Sequence, residues 1–90
     1  MATEFTATST TLIASSNVMR KSLVVANNAG PGTVFILCQE DEPEDPPSAD
    51  LHDYFVPASQ LLTISGQDYT GTVWAAFSEA DSVAMIKIHG

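Results

Sequence analysis

The fold is decided by residues 20–38, which read RKSLVVANNAGPGTVFILC. Two short runs rich in Val, Leu, Ile and Phe, 22–27 and 33–38, flank a connection made of Asn, Ala, Gly and Pro. Gly and Asn accept positive φ and Pro fixes its own φ, so such a connection is typical of a turn. We therefore predict two strands that pair with each other as a β-hairpin.

The same alternation of β-rich runs and turn residues continues through the chain. No stretch keeps the 3.6-residue apolar period of a helix over ten or more residues. We predict an all-β domain of six to seven antiparallel strands, a small β-sandwich or β-barrel with an extended N-terminal segment. The remaining predicted strands cover 10–14, 54–56, 60–64, 72–78 and 83–88. The predicted core consists of Leu23, Val25, Val34, Ile36, Leu62, Ile64, Val73, Phe77, Ile86 and Ile88.

Ninety residues suffice for one domain. Residues 1–15 are rich in Thr and Ser and have only a weakly apolar face, so we interpret them as an N-terminal arm or an edge strand. Residues 16–90 form the β-domain. We expect removal of 1–15 to leave this domain folded.

An acidic, proline-rich loop at 39–50 interrupts the β-domain. Residues 39–48 contain five carboxylates and three prolines. Proline cannot donate to a sheet ladder and like charges repel, so we predict a solvated, mobile loop. The glycine that turns a calcium-binding loop is missing, which argues against a cation site.

The charge balance excludes several kinds of partner. The chain has 11 acidic and 3 basic residues, a formal net charge of −8. Binding to DNA, RNA or an anionic membrane surface needs clustered Lys and Arg. The apolar runs are shorter than the ~20 residues of a membrane helix, and the first residues lack the basic start of a signal peptide. We expect neither a nucleic-acid nor a membrane partner.

The chain offers little for catalysis. His52 and His89 lie far apart with no metal-ligand spacing, and we expect both to be ordinary surface residues. Cys38 ends an apolar run beside acidic residues, which is typical of an unreactive core thiol. Residues 30–32 lack the Lys-Ser/Thr of a phosphate-binding loop, and no Gly-x-Ser-x-Gly elbow occurs. We expect no enzymatic activity, no metal and no cofactor.

Three aromatic residues leave a different function open. Trp74, Tyr54 and Tyr69 would suit a sugar-stacking platform if they were exposed together. A carbohydrate-binding module is therefore an alternative, although Trp74 alternates with Val73 and Ala75 as a core or interface residue would.

Residues 20–28 resemble the Arg-x-x-Leu-x-Val-x-Asn opening of small β-domain virion proteins of tailed bacteriophages. The chain departs from that pattern at Ala58, where glycine is usual, and in the acidic insertion at 40–49. The resemblance covers about residues 18–88 and also includes 33–36, 56–61, 71–76 and 83–88.

The resemblance implies a structural virion protein, in its sharpest form a capsid decoration (cement) protein. Such a protein would bind the major capsid protein on the outer surface of the head, as a homotrimer, and stabilise the shell after assembly in the host cytoplasm. A head–tail connector or tail component is the alternative within the same class.

We expect partner contacts at Phe5, Leu12, Ile13, Met19 and Arg20. Apart from such a contact, Arg20 and Lys21 would form a plain exposed pair or face the acidic loop.

Overall fold

The computed structural model describes residues 2–90, which form eight strands and no helix. Among these residues there is thus no helix able to span a membrane. The strands are β1 (Ala2–Phe5), β2 (Thr11–Ala14), β3 (Ser22–Ala29), β4 (Val34–Cys38), β5 (Tyr54–Val56), β6 (Leu61–Ser65), β7 (Val73–Phe77) and β8 (Val83–His89).

Two four-stranded antiparallel sheets pack together as a small β-sandwich, as predicted. The first sheet has the order β1-β8-β3-β6 and the second the order β2-β7-β4-β5. Leu23 and Val25 of the first sheet and Val34 and Ile36 of the second are fully buried between the sheets. Alternate residues of each strand point to this core because strand side chains alternate between faces.

The predicted hairpin between residues 22–27 and 33–38 is wrong. β3 pairs with β6 and β8, whereas β4 pairs with β5 and β7, so the two runs belong to opposite sheets. Asn27 lies at this crossing, and its buried side-chain Nδ2 donates to the carbonyls of Gly32 and Val56, each at 2.9 Å. These bonds join the end of β3 to the connection and to β5 of the opposite sheet.

Residues 1–15 contribute to both sheets. β1 pairs with β8 and β2 pairs with β7, each as the edge strand of its sheet. Phe5 is buried and stacks on Phe77 at a centroid distance of 5.2 Å, and Ala14 is also buried. The segment therefore supplies core side chains, which gives a physical reason to expect that its removal destabilises the domain.

The predicted core is mostly confirmed. Eight of its ten residues are buried, and Leu62 packs against them while partly exposed. Ile88 is wrong, since its side chain is 45% exposed at the end of β8. The sequence prediction also missed Phe5, Ala14, Val56, Ala75 and Ala84.

Candidate functional site

The structure brings three of the five expected contact residues together in one cleft. Phe5, Leu12 and Ile13 line an opening of about 160 Å³ between the two sheets, on the side where β1 and β2 are the edge strands. We call this opening the edge cleft. Its remaining lining residues are Thr3, Glu4, Thr11, Ile86 and Ile88.

A bulge in β2 shapes the edge cleft. The pairing of β2 with β7 shifts between Leu12 and Ala14, so Ile13 is the extra residue of the pair. A bulge breaks the alternation of side chains. Leu12 and Ile13 consequently both line the cleft, with Ile13 packed against the core and Leu12 48% exposed.

Met19 and Arg20 lie outside the edge cleft and differ completely in exposure. Met19 is 73% exposed in the loop between β2 and β3, beside Val18, which is 84% exposed. Arg20 is only 3% exposed, so its interpretation as half of an exposed pair is wrong.

The guanidinium of Arg20 ties loops together inside the protein. It donates to the carbonyls of Ser15 and Gly71 at 2.9 Å and of Tyr69 at 3.4 Å. Arginine suits this position because its planar fork presents several donors in fixed directions. The residue is therefore held away from any partner surface.

The acidic segment lies against the outer face of the second sheet. Leu37 and Ala76 lie on this face, yet both are buried. Pro43 and Pro47 are buried as well, whereas Pro46 and the carboxylates between 40 and 45 are exposed. Residues 39–53, which we call the acidic cap, thus cover this face with Pro43 and Pro47 inward and their charges in water, as expected for a solvated segment.

Hydrogen bonds fix both ends of the acidic cap. The Nε1 of Trp74 donates to the Gln39 carbonyl at 3.0 Å, and the backbone N–H of Cys38 donates to Asp53 Oδ2 at 2.7 Å. The His52 ring lies 5.3 Å from that of Phe35 and 5.6 Å from that of Phe55. These contacts hold the acidic cap against the second sheet despite its many carboxylates.

The three aromatic residues of the carbohydrate-binding alternative do not all line one pocket. Tyr54 and Tyr69 line a shallow pocket with Cys38, Asp53 and Asp68, and Trp74 is not part of its lining. Tyr69 is tied down by its hydroxyl, which donates to the Thr72 carbonyl at 2.8 Å. Burial, followed by the negative charge of Glu40, raises the pKa of Tyr69.

The thiol and histidines form no reactive group. Burial and the charge of Asp53 raise the pKa of the Cys38 thiol to about 11, so the thiol is protonated at neutral pH. His52 Nδ1 lies 2.9 Å from the Ser48 carbonyl, and His89 is exposed at the end of β8. Within residues 2–90, no three His, Cys, Asp or Glu side chains come together as a metal site.

Charge divides the surface into two regions. The acidic cap carries seven of the eleven carboxylates of the chain, whereas residues 5–19, which include β2, carry no charged side chain. The absence of charged side chains from residues 5–19 can be read from the sequence, but the position of this segment beside a cleft cannot. The chain matches no protein-family model, no curated protein and no solved structure.

Proposed function

We propose that this chain is a structural virion protein, a decoration protein that binds the outer surface of a bacteriophage head and stabilises the capsid. The proposal starts from the resemblance of residues 18–88 to small phage virion proteins. The β-sandwich fold is compatible with it. The observation that carries it is the contrast between the apolar cleft at the β1–β2 edge, in whose lining Glu4 is the one charged residue, and the densely acidic cap on the outer face of the second sheet.

The β1–β2 edge is the docking side in this proposal. A contact there removes Glu4 from water but no charged group of residues 5–19, so its desolvation cost is smaller than that of a contact on the acidic cap. Leu12 and Ile88 are about half exposed beside the cleft and would contribute apolar burial.

The acidic cap is the outward side. Its carboxylates remain solvated, and repulsion between copies or particles favours solubility. The proposed partner is the major capsid protein, with several copies of this chain, in trimers, on the outside of the head.

Copy number in purified particles tests the proposal. Quantitative mass spectrometry should find this chain in amounts near those of the major capsid protein. A small fixed number would replace the decoration role by a connector or tail role. Absence from particles would contradict a virion role and return attention to a carbohydrate-binding module.

Two matched variants test the docking side. Leu12→Glu places a charge on the edge of the cleft, and Leu61→Glu places one on the edge strand β6 at the other side of the sandwich. Both leucines are exposed, so neither change creates a cavity. Leu12→Glu should lower the copy number at least about tenfold, which corresponds to about 1.4 kcal/mol of binding free energy, while Leu61→Glu leaves it unchanged. The opposite pattern would contradict docking through the β1–β2 edge.

A further inference from the structure

The edge cleft has the size of a single side chain. Its volume is about 160 Å³, and an apolar cavity of roughly 150 Å³ holds a benzene-sized molecule. Phe5, Leu12, Ile13, Ile86 and Ile88 supply its apolar lining. One Leu, Ile or Phe side chain from outside would fill it.

The strand beside the cleft also offers its backbone. β2 ends the second sheet and pairs only with β7 among the described strands. An edge strand carries unpaired N–H and C=O groups, and proteins commonly protect such edges with charges, prolines, bulges or short strands. β5 has three residues and lies between Asp53 and Pro57, whereas β2 has four residues and the bulge at Ile13 but no charge or proline in residues 5–19 around it.

The charge of the cleft restricts its occupant further. Glu4 is the one charged residue in the lining, and its side chain is exposed. An added strand with a carboxylate at this position would be repelled. A Lys or Arg would form an ion pair there.

From these features we infer that the β2 edge receives an extended segment of the partner polypeptide as an added strand. One large apolar side chain of that segment enters the edge cleft, and a Lys or Arg flanks it beside Glu4. Backbone pairing then supplies affinity and the cleft supplies specificity, as in other cases of strand addition. The inference rests on the proposed function, because it specifies which kind of capsid segment meets this edge.

A peptide titration tests this inference on the free protein. The probe is the capped hexapeptide Thr-Lys-Leu-Thr-Val-Thr, added to ¹⁵N-labelled full chain and followed by NMR. We expect shifts concentrated in residues 3–5, 11–13 and 86–88. Replacing Leu by Ser in the peptide should weaken binding at least about fivefold, and replacing Lys by Glu should weaken it about two- to threefold.

N-methylation separates strand addition from simple apolar contact. A peptide with alternate amides methylated cannot complete the backbone pairing, so its binding should be lost. Equal binding by the methylated peptide, or shifts centred on β5 and β6, would overturn the inference, as would no shift at millimolar concentration.

A cleft-filling variant provides the protein-side control. Thr11→Phe fills the cleft and should abolish the shifts, whereas Thr63→Phe, on the exposed face of β6, should keep them. If Thr11→Phe fails to fold, the titrations with the peptide variants still test strand addition.

The two proposals can fail separately. If the free protein binds the peptide but the chain is absent from purified particles, only the proposed function is contradicted. If the chain is present in particles but does not bind the peptide, only strand addition is contradicted.

Discussion

Four residues carry the opening of the virion-protein pattern, and all four are buried. Arg20 holds three loop carbonyls, Leu23 and Val25 lie in the core, and Asn27 joins β3 to Gly32 and Val56. The spacing of these four residues is therefore explained by folding. In the proposed function, contact with the capsid would depend on other residues.

Asn27 provides the first prediction. Asn27→Ala leaves the buried carbonyls that it serves without donors, which should lower the free energy of unfolding by about 1–3 kcal/mol. Urea denaturation measures the change. Asn28→Ala at the exposed neighbour is the control and should change stability by less than about 0.5 kcal/mol. Equal effects of the two substitutions would show that the side-chain bonds of Asn27 contribute little.

Ser59 provides the second prediction. The Gln60 N–H donates to the Pro57 carbonyl at 3.1 Å, and Ser59 has a φ of 66° at the third position of this turn. Positive φ there favours glycine. Ser59→Gly should raise the melting temperature and stabilise the protein by about 0.5–1 kcal/mol. Ala58→Gly, at the position where glycine is usual in the virion-protein pattern that this sequence resembles, should give no gain; a larger gain there would contradict this assignment.

The third prediction concerns the pH dependence of Cys38. The folded thiol has a pKa of about 11 against an ordinary value of 9.0. The resulting stabilisation is present below pH 9 and is lost as the pH rises towards 11, because the unfolded thiol ionises first. Urea denaturation at pH 8 and 10 should show a larger loss for the natural chain than for Cys38→Ala. Identical losses would contradict the raised pKa.

At the scale of elements, the strands were predictable but their partners were not. The seven predicted runs correspond to β2–β8, because β-rich runs between turns indicate strands locally. Six of the seven connections cross between the sheets within residues 2–90, and only β4–β5 stays in one sheet. Consecutive strands commonly pair with each other, and applying this rule to residues 22–27 and 33–38 gave the wrong hairpin.

The misjudged residues share a physical cause. Phe5 sits in a Thr-rich segment, and Arg20 is charged, so neither resembles a core residue in sequence. Ile88 follows the inward alternation of β8 but lines the open edge cleft, where its side chain is 45% exposed. The cleft joins β1 and β2 to β8, which is distant from them in the chain, so only the fold could reveal it.

Removal of an element provides the fourth prediction. Deleting residues 1–15 removes two edge strands together with buried Phe5 and Ala14, so the remainder should lose cooperative thermal unfolding. Phe5→Ala alone should cost about 3–5 kcal/mol, a large share of the stability of a small domain. Thr6→Ala, an exposed neighbour, is the control and should unfold like the natural chain. A cooperatively folded truncation would show that 1–15 is a dispensable arm.

In the whole molecule, two surfaces differ in charge: the acidic cap and the β1–β2 edge. The acidic cap gathers most of the negative charge on the second sheet, and the β1–β2 edge is left uncharged apart from Glu4. A net charge of −8 makes copies of the chain repel each other at the acidic cap. In the proposed function, the β1–β2 edge is therefore the side where electrostatic repulsion would oppose docking least.

Hydrogen exchange on phage particles directly tests whether the protein docks through the β1–β2 edge. Amide exchange of the chain bound to phage heads should be compared by mass spectrometry with exchange of the free protein. We predict new protection in residues 2–14 and 86–88, with exchange in the acidic cap, 39–53, unchanged. Protection confined to 39–53, with 2–14 exchanging as in the free protein, would contradict docking through the β1–β2 edge.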